Sequence, residues 1–445
     1  MALYVIVNLM VLIFLSLVFT SPSILIVGTL GMILVCYLIY KTKLKFKWVL
    51  SIIFIIAIMV MLIAYWGYIH QYGMPYYSGG SDDLDFEIYS QYIIEKGYLL
   101  PNQYAKDPLL RFHNSKGFLW VISSIMRLVE PFGGYHTIAF RVLNVNLLIG
   151  LGILTTSYFK QNYNFSNQKN AIILVASTLF PNALYISVHV FRDTLIIFLL
   201  FAVFYMWSEF VKREKYTFIS PFKIIIITLI ISYISYWIRN QSLIFIVAII
   251  LINIILNKRT LNLKNFGFFV LLLVIFIIVA AKFGVLEMIV AINERYTVHK
   301  LEAGDGLSNV IFKIPLFPFG VFIRFMYGLI FPIPIPILNT ANMFSNIKMF
   351  FDVTVSYGTI IQIFLLPYLF KNFKKIDNVF IVFIVFMLGV VITTFTFRHF
   401  IMLYPIMIIL IFRQFFITGK KDRIMLFIIM SSFIVLLASI YLIIK

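Results

Sequence analysis

Long uninterrupted apolar runs recur along this sequence and constrain its fold more than any other feature. Three of them occupy residues 3–19, 23–40 and 49–69. A helix needs about 20 apolar residues to cross a bilayer, whereas a barrel strand needs only about 10 alternating ones. With 62% hydrophobic and 12% charged residues, the chain also carries too little charge to cover the surface of a soluble protein of 445 residues. The sequence therefore predicts an all-α, polytopic transmembrane helical bundle.

Clusters of basic residues between the apolar runs predict the orientation of the chain. Four lysines lie between residues 41 and 47, directly before the third run. Similar clusters follow later, at 212–215, 258–264, 371–375 and 419–423. Cytoplasmic loops of membrane proteins are enriched in lysine and arginine. Residues 71–134 are therefore expected to form a first large outer loop, and residues 291–315 a second.

The remaining apolar runs bring the expected total to about 12 to 14 spans, under an outer layer of amphipathic segments and loops. The further expected spans cover 136–159, 171–190, 194–210, 224–238, 243–256, 266–281, 356–370, 379–395, 401–416 and 424–444. Residues 315–350 are rich in proline and must cross an even number of times, as a hairpin or as a re-entrant loop. Residues 1–47 form an N-terminal hairpin whose first helix we expect to be retained. All 445 residues are expected to form a single integral membrane domain.

The net charge of +19 indicates an anionic partner. Because the basic residues sit between apolar runs, lipid headgroups or anionic lipid-linked substrates fit this charge better than nucleic acid does. The single cysteine, Cys36, excludes an internal disulfide and a cysteine-based metal cluster.

The densest polar segment holds four carboxylates within six residues, just outside the third apolar run. They are Asp82, Asp83, Asp85 and Glu87. A carboxylate can act as a general base, and a pair can hold a divalent cation together with substrate phosphates. We therefore take Asp82 and Asp83 as the catalytic candidates. A bound Mg²⁺ or Mn²⁺ at these two residues stays open, as does the alternative that they belong to a solvated loop.

Arginines outnumber the carboxylates on the predicted outer half of the chain. An arginine within a span costs about 2.5 to 3.5 kcal/mol, so some are expected to pair with Asp82, Asp83 or Asp193. The surplus would hold an anionic ligand, since the planar guanidinium suits phosphate. The candidate phosphate-binding residues are Arg111, Arg141, Arg192, Asp193, Arg239, Arg295, Arg324, Arg398 and His399. The structural alternatives are a helix start for Asp193, a solvated hairpin tip for Arg239 and interfacial snorkelling for Arg398.

Several short motifs between residues 48 and 416 share one family pattern. They are Ser81-Asp82-Asp83, Tyr89 with Gly97, Arg141 with Asn144, the segment 181–193, and Arg398-His399 followed by Pro405. Together they resemble the GT-C class of membrane glycosyltransferases, which take sugars from polyprenyl-phosphate carriers. The chain departs from that class in two respects. Its acidic loop follows the third span, and the motif reads Asp-Asp where Asp-Glu is common.

The resemblance implies an inverting glycosyltransferase in a bacterial plasma membrane, with its active site facing outside. A carboxylate of the first outer loop, Asp82 or Asp83, would be the general base, and outer arginines would hold the carrier phosphate. The implied partners are a polyprenyl-phosphate-linked sugar donor, a glycan or lipid acceptor at the cell surface, and the bilayer. A polymerase of the O-antigen or capsule type is the nearest alternative. A transporter or flippase of lipid-linked sugars is a third, although its substrate site would be expected near the midplane.

Overall fold

The computed structural model describes residues 2–444 except 81, 112, 114, 213–218, 257–284, 304–306, 339, 341–342, 375 and 394. Within these residues the regular structure is helical and no strand occurs, which confirms the predicted all-α class. Seven of the described helices are long and apolar enough to cross a membrane, or eight if one bent pair counts as a span. The chain thus has the helices of a multi-pass membrane protein. The predicted span at 266–281 lies outside the described residues, so the total of about 12 to 14 spans stays a prediction.

The helices of the first half follow the predicted apolar runs closely. They are α1 (Ala2–Val18), α2 (Pro22–Thr42), α3 (Lys47–Tyr72), α4 (Asp82–Glu95), α5 (Pro101–Tyr104), α6 (Lys116–Val129), α7 (Thr137–Tyr163), α8 (Asn167–Thr178), α9 (Pro181–Ser187), α10 (Asp193–Val211), α11 (Ile219–Ile238) and α12 (Ser242–Leu256). Within its described residues, the segment predicted as the first large outer loop therefore contains three α-helices of its own, α4 to α6.

In the second half, the described residues contain eight further α-helices. They are α13 (Val285–Ala303), α14 (Leu307–Lys313), α15 (Val321–Gly328), α16 (Ile347–Phe370), α17 (Asn378–Thr393), α18 (Phe397–Phe400), α19 (Tyr404–Phe415) and α20 (Lys420–Ile444). The segment predicted as the second outer loop is thus largely helical. The described part of residues 315–350 contains no helix of spanning length before α16 begins.

The contacts divide the chain into two compact units. The first comprises Met1–Tyr205, Tyr216–Ile246 and Ile335–Gly358. The second comprises Met206–Lys215, Val247–Pro334 and Thr359–Lys445. That both belong to a single membrane domain stays a prediction.

Helix α7 is the central helix of the first unit, and almost all of it is buried. Small residues let its neighbours approach closely. A side chain at Gly31 of α2 would meet Asn146 of α7, and one at Gly152 of α7 would meet Thr178 of α8. Helices within membranes associate through such small-residue contacts and through interhelical hydrogen bonds. Asn146 also forms an interhelical hydrogen bond, in which its Oδ1 accepts from the Tyr4 hydroxyl of α1 at 3.2 Å.

The span predicted at 171–190 is broken in the structure. Helix α8 ends at Thr178 and α9 begins at Pro181, and their axes differ by 51°. Proline has no N–H to continue a helix, and it pushes the preceding residue, Phe180, into an extended conformation. Helix α9 then ends at Ser187, and α10 begins only at Asp193. The segment up to Phe191, just before α10, is therefore not helical.

The second unit contains an ion pair of its own, between a buried arginine and a half-buried aspartate. Arg413 of α19 bonds to Asp377, just before α17, and its Nε donates to Asn372. In the same unit Gln362 donates to the Leu329 carbonyl at 2.6 Å and accepts from the Tyr404 hydroxyl at 2.8 Å. These polar groups join α16, α17 and α19.

Candidate functional site

The acidic stretch begins with a tight turn and continues as helix α4. The turn contains a 3₁₀ segment, Tyr77–Gly79, followed by Gly80 at φ +107°. Only glycine adopts that conformation without strain. Helix α4 then starts at Asp82 with three carboxylates in its first turn, where the helix dipole favours negative charge. It ends at Glu95, shortly before Gly97, whose φ of +67° is one that glycine adopts readily.

Asp83 points into the protein and is fully buried. Its Oδ2 accepts the backbone N–H of Tyr77 at 2.9 Å, and its Oδ1 lies 3.2 Å from the Leu84 backbone nitrogen. Burial raises the pKa of this carboxyl, while the Tyr77 bond and the nearby Arg141 oppose the rise. The bond from Tyr77 closes the turn onto the helix.

Arg141 lies opposite Asp83, in the first two turns of α7, and is also fully buried. Its Nη2 lies 3.9 Å from Asp83 Oδ2 and donates to the Pro75 carbonyl oxygen. Its guanidinium carbon lies 5.7 Å from the centre of the Tyr65 ring. The other two donor nitrogens, Nε and Nη1, are buried and have no acceptor among the residues that the structure describes. This confirms the prediction that an arginine within a span pairs with the acidic stretch.

Asp82 and Asp83 take different environments although they are adjacent. Successive helical residues are rotated by about 100°, so two neighbours can lie in different environments. Asp82 is exposed, and so is Asp85, the third acid of this turn. The sequence left both aspartates as candidates for one role, and the structure places them in different environments.

His113 lies close enough to Asp82, Arg192 and Lys116 for their charges to act on it. Burial lowers the pKa of His113 to about 4, and the two cations contribute further. The imidazole is therefore neutral at neutral pH. Its Nδ1 accepts the backbone N–H of Ser115 at 3.2 Å, which places the proton of the neutral ring on Nε2. Sequence reasoning missed this residue because no partner histidine or ligand spacing lies near it.

After Asp83, Glu87 is a second buried carboxyl group on α4. It lies one helical turn further along α4, and its two oxygens accept the hydroxyls of Tyr76 and Tyr135, both at 2.7 Å. Burial raises the pKa of Glu87 in spite of these two bonds. The sequence showed Glu87 as one of the four clustered acids. The four-residue spacing from Asp83, which places both on one face of a helix, was the available signal for its burial.

A second buried pair joins the start of α10 to the tip of the α11–α12 hairpin. Arg239 Nη2 lies 3.3 Å from Asp193 Oδ1, and both side chains are buried. Arg192 Nη1 donates to the Ile238 carbonyl at 3.4 Å. The solvated hairpin tip considered for Arg239 is therefore wrong, because the tip folds against the entrance to α10. The predicted pairing of an arginine with Asp193 is confirmed.

Close backbone contacts bring this hairpin tip to the start of α6, in the segment predicted as the first outer loop. Gly117, at the start of α6, faces the backbone of Trp237 and Ile238, and a Cβ there would lie 2.6 Å from both. Lys116 precedes it and donates to the carbonyls of Arg111 and His113 at 2.9 and 3.1 Å. The loop that carries His113 is therefore fixed beside the tip.

Helix α7 also positions the non-helical segment before α10. Asn144 donates to the carbonyls of His189 and Phe191 at 2.8 and 3.1 Å. The His189 ring bonds to the Tyr68 hydroxyl at 3.0 Å and to the Tyr185 carbonyl at 2.7 Å. Asn144 therefore has a positioning role. No pattern in the sequence indicated that His189 would be buried.

The first unit thus brings together Asp82, Asp83, Arg141, Arg192, Asp193 and Arg239. We call this group, with His113 and Lys116, the outer cluster. Arg111 lies on the loop before Lys116 and is exposed. The remaining candidates, Arg295, Arg324, Arg398 and His399, belong to the second unit.

The four candidates of the second unit differ in burial. Arg295 is exposed on α13, Arg398 is half-buried on α18, and the neighbouring His399 is buried. Arg324 is buried on α15 and lies 4.4 Å over the Phe312 ring. Its Nε and Nη1 have no acceptor within the described ranges. Phosphate binding by these four residues stays a prediction.

A cation shared by Asp82 and Asp83 does not fit this geometry. Asp83 is buried beside the Arg141 guanidinium, with a backbone N–H on Oδ2, whereas Asp82 faces outward. In the described part of the chain, no three His, Cys, Asp or Glu side chains are grouped closely enough to hold a metal ion.

Comparison with protein-family models, with curated proteins and with solved structures gave no match for this chain.

Proposed function

We propose that this protein is a membrane glycosyltransferase that moves a sugar from a polyprenyl-phosphate carrier to a glycan or lipid acceptor outside a bacterial plasma membrane. The observation that carries the proposal is the state of Arg141. This arginine is fully buried, its carboxylate partner is 3.9 Å away, and two of its donor nitrogens lack an acceptor among the described residues. A buried cation with unused donors is suited to an anion such as a phosphate.

In the proposed reaction Asp82 is the general base. Its exposed carboxylate takes the proton from the acceptor hydroxyl, and the hydroxyl oxygen forms a new bond to the anomeric carbon of the sugar. The bond between that carbon and the carrier phosphate breaks, and the electron pair leaves with the phosphate oxygen. Attack from the opposite face inverts the anomeric centre. His113, neutral with a proton on Nε2, lies near this carboxylate and can donate a hydrogen bond.

Arg141 would stabilise the negative charge that grows on the leaving phosphate. Such preorganised donors act strongly where water is excluded. Asp83 is then a positioning residue, since it holds both the guanidinium and the turn at Tyr77. The turn from Pro75 to Gly80 covers Arg141 and would have to move aside when the carrier phosphate binds.

The experiment that tests this function is the surface glycan and lipid-linked intermediate profile of a deletion strain. A transferase predicts a full-length glycan that lacks one sugar and regains it with the wild-type gene. Accumulation of single repeat units on lipid would instead establish a polysaccharide polymerase. Loss of carrier-dependent uptake with no change in any glycosidic bond would contradict both and favour a transporter.

A further inference from the structure

A groove of about 520 Å³ opens in the second unit, far along the chain from the outer cluster. It lies between the second half of α16, the end of α19 and the start of α20. The lining residues are Phe364, Leu365, Tyr368, Phe415, Lys420, Arg423, Ile424 and Phe427.

The apolar part of the groove is a pair of aromatic walls. Phe364 and Phe427 stack with ring centres 4.8 Å apart, and Tyr368 meets Phe415 edge to face at 5.2 Å. The rim on α20 is open, because Phe427 and Ile424 are 60% and 52% exposed. Residues 424–444 are predicted to span the membrane, where such exposed apolar side chains would face lipid. An acyl chain could therefore pass from the bilayer directly into the groove.

The polar end of the groove is cationic. Arg423 lies 5.1 Å over the Phe415 ring, and its buried Nε has no acceptor in the described part of the chain. Lys420 lines the groove one helical turn earlier. A third cation, Lys371, lies 5.8 Å over the Tyr368 ring and donates to Thr418 at 3.2 Å. Neither Lys420 nor Arg423 forms an ion pair with a carboxylate that the structure describes.

We propose that this groove binds one anionic glycerophospholipid. Its phosphate would lie between Lys420 and Arg423, and an acyl chain would follow the aromatic walls toward Phe427. The phosphate of the lipid would pair with the cationic end of the groove, and its acyl chain would cover the aromatic walls. A free phosphate would leave the aromatic walls bare, and an uncharged lipid would leave the two cations unpaired. The basic sequence around residue 420 is of the kind that binds anionic leaflets. This inference is independent of the proposed transferase activity.

The test is lipid binding to the purified full-length protein, measured by native mass spectrometry in detergent. The probes are phosphatidylglycerol, phosphatidylcholine of the same chain length and inorganic phosphate. The variants are Lys420→Gln, Arg423→Gln and, as a matched control, Lys421→Gln, which changes the neighbouring exposed lysine outside the groove. Thermal unfolding midpoints check that each variant is folded, and Lys420→Gln alone suffices if Arg423→Gln does not fold.

Phosphatidylglycerol is expected to bind with a one-to-one stoichiometry. Each groove variant should weaken that binding by about fivefold, whereas Lys421→Gln should leave it within about twofold. Equal binding by the wild type and both groove variants would overturn the proposal. Equal binding of phosphatidylcholine, or displacement of the lipid by millimolar phosphate alone, would also overturn it, because neither result needs an anionic lipid.

Discussion

Asp83 of α4 and Arg141 of α7 face each other, with 3.9 Å between Oδ2 and Nη2 and both side chains fully buried. The separation is that of an ion pair and not of a hydrogen bond. The carboxylate is held instead by the backbone of Tyr77, and the guanidinium by the carbonyl of Pro75. The pair thus ties the turn before α4 to the central helix of the first unit and leaves donors of Arg141 available.

This pair predicts strong coupling between the two side chains. Arg141→Gln leaves Asp83 as a buried charge without its cation, which should cost about 3 to 5 kcal/mol of unfolding free energy. The double variant with Asp83→Asn should lose less than the sum of the two single losses, by about 0.5 to 3 kcal/mol. Denaturant titration of the four proteins in detergent measures the cycle. Arg111→Gln, at an exposed arginine, is the control and should stay within about 0.5 kcal/mol of the wild type. Purely additive losses would show that the pair does not interact.

Glu87 predicts a pH dependence of stability. Because burial raises its pKa above the ordinary 4.5, the folded protein holds this proton at pH values where the unfolded chain has released it. Folding stability must therefore fall as the pH rises from 4.5 to the raised pKa. Glu87→Gln removes this dependence while keeping an acceptor for a tyrosine hydroxyl. The difference in unfolding midpoint, wild type minus variant, should be smaller at pH 7.5 than at pH 5. A difference that grows with pH would mean that Glu87 is held as a stabilised carboxylate.

Gly80 predicts a coupling between the turn and the reaction. At φ +107° an alanine is strained by about 1 to 3 kcal/mol, and its Cβ would also lie 2.7 Å from Leu84. Gly80→Ala should therefore displace the turn that covers Arg141 and lower the transfer rate. Gly73→Ala carries similar backbone strain at φ +75° in open space, so it should lower stability and leave transfer intact. Equal transfer rates in both variants would remove the turn from the mechanism.

Gly117 predicts a steric limit on the contact between α6 and the hairpin tip. A Cβ there lies 2.6 Å from backbone atoms of Trp237 and Ile238, which cannot move without shifting the tip. Gly117→Ala should lower the free energy of unfolding by about 1 to 3 kcal/mol. Gly419→Ala is the control, because only one atom, 4.0 Å away, lies near that position and its backbone is unstrained. An unchanged free energy of unfolding for Gly117→Ala would contradict a close contact between Gly117 and the backbone of Trp237 and Ile238.

The apolar runs predicted most of the helices. A membrane-spanning helix needs a long apolar run, and such a run is easily recognised in a sequence. The sequence also predicted that some arginines of the outer half would pair with Asp82, Asp83 or Asp193, since an unpaired charge within a span is costly. The break before Pro181 was visible as a proline but was interpreted as part of one span. The sequence shows the proline, but it does not show that the axes of α8 and α9 differ by 51°.

The distinction between Asp82 and Asp83 could not be made from the sequence. It depends on which face of α4 turns toward Arg141 and the rest of the first unit, and the four clustered acids give that helix no clear apolar stripe. His113 was passed over for a similar reason. Its environment is made by Arg192, far away in sequence, and by Lys116. Such contacts are fixed by the tertiary fold.

The most direct test of the proposed function compares Asp82→Asn with Asp85→Asn. Both changes remove one exposed carboxylate from the first turn of α4, so they have the same effect on helix dipole and net charge. The measurement is formation of the new glycosidic bond by membranes of a deletion strain that carry either variant at equal protein level. A general base contributes about 10²- to 10⁴-fold, so Asp82→Asn should lose at least that factor while Asp85→Asn keeps near wild-type transfer. Wild-type transfer by Asp82→Asn would contradict the assignment of this carboxylate as the base.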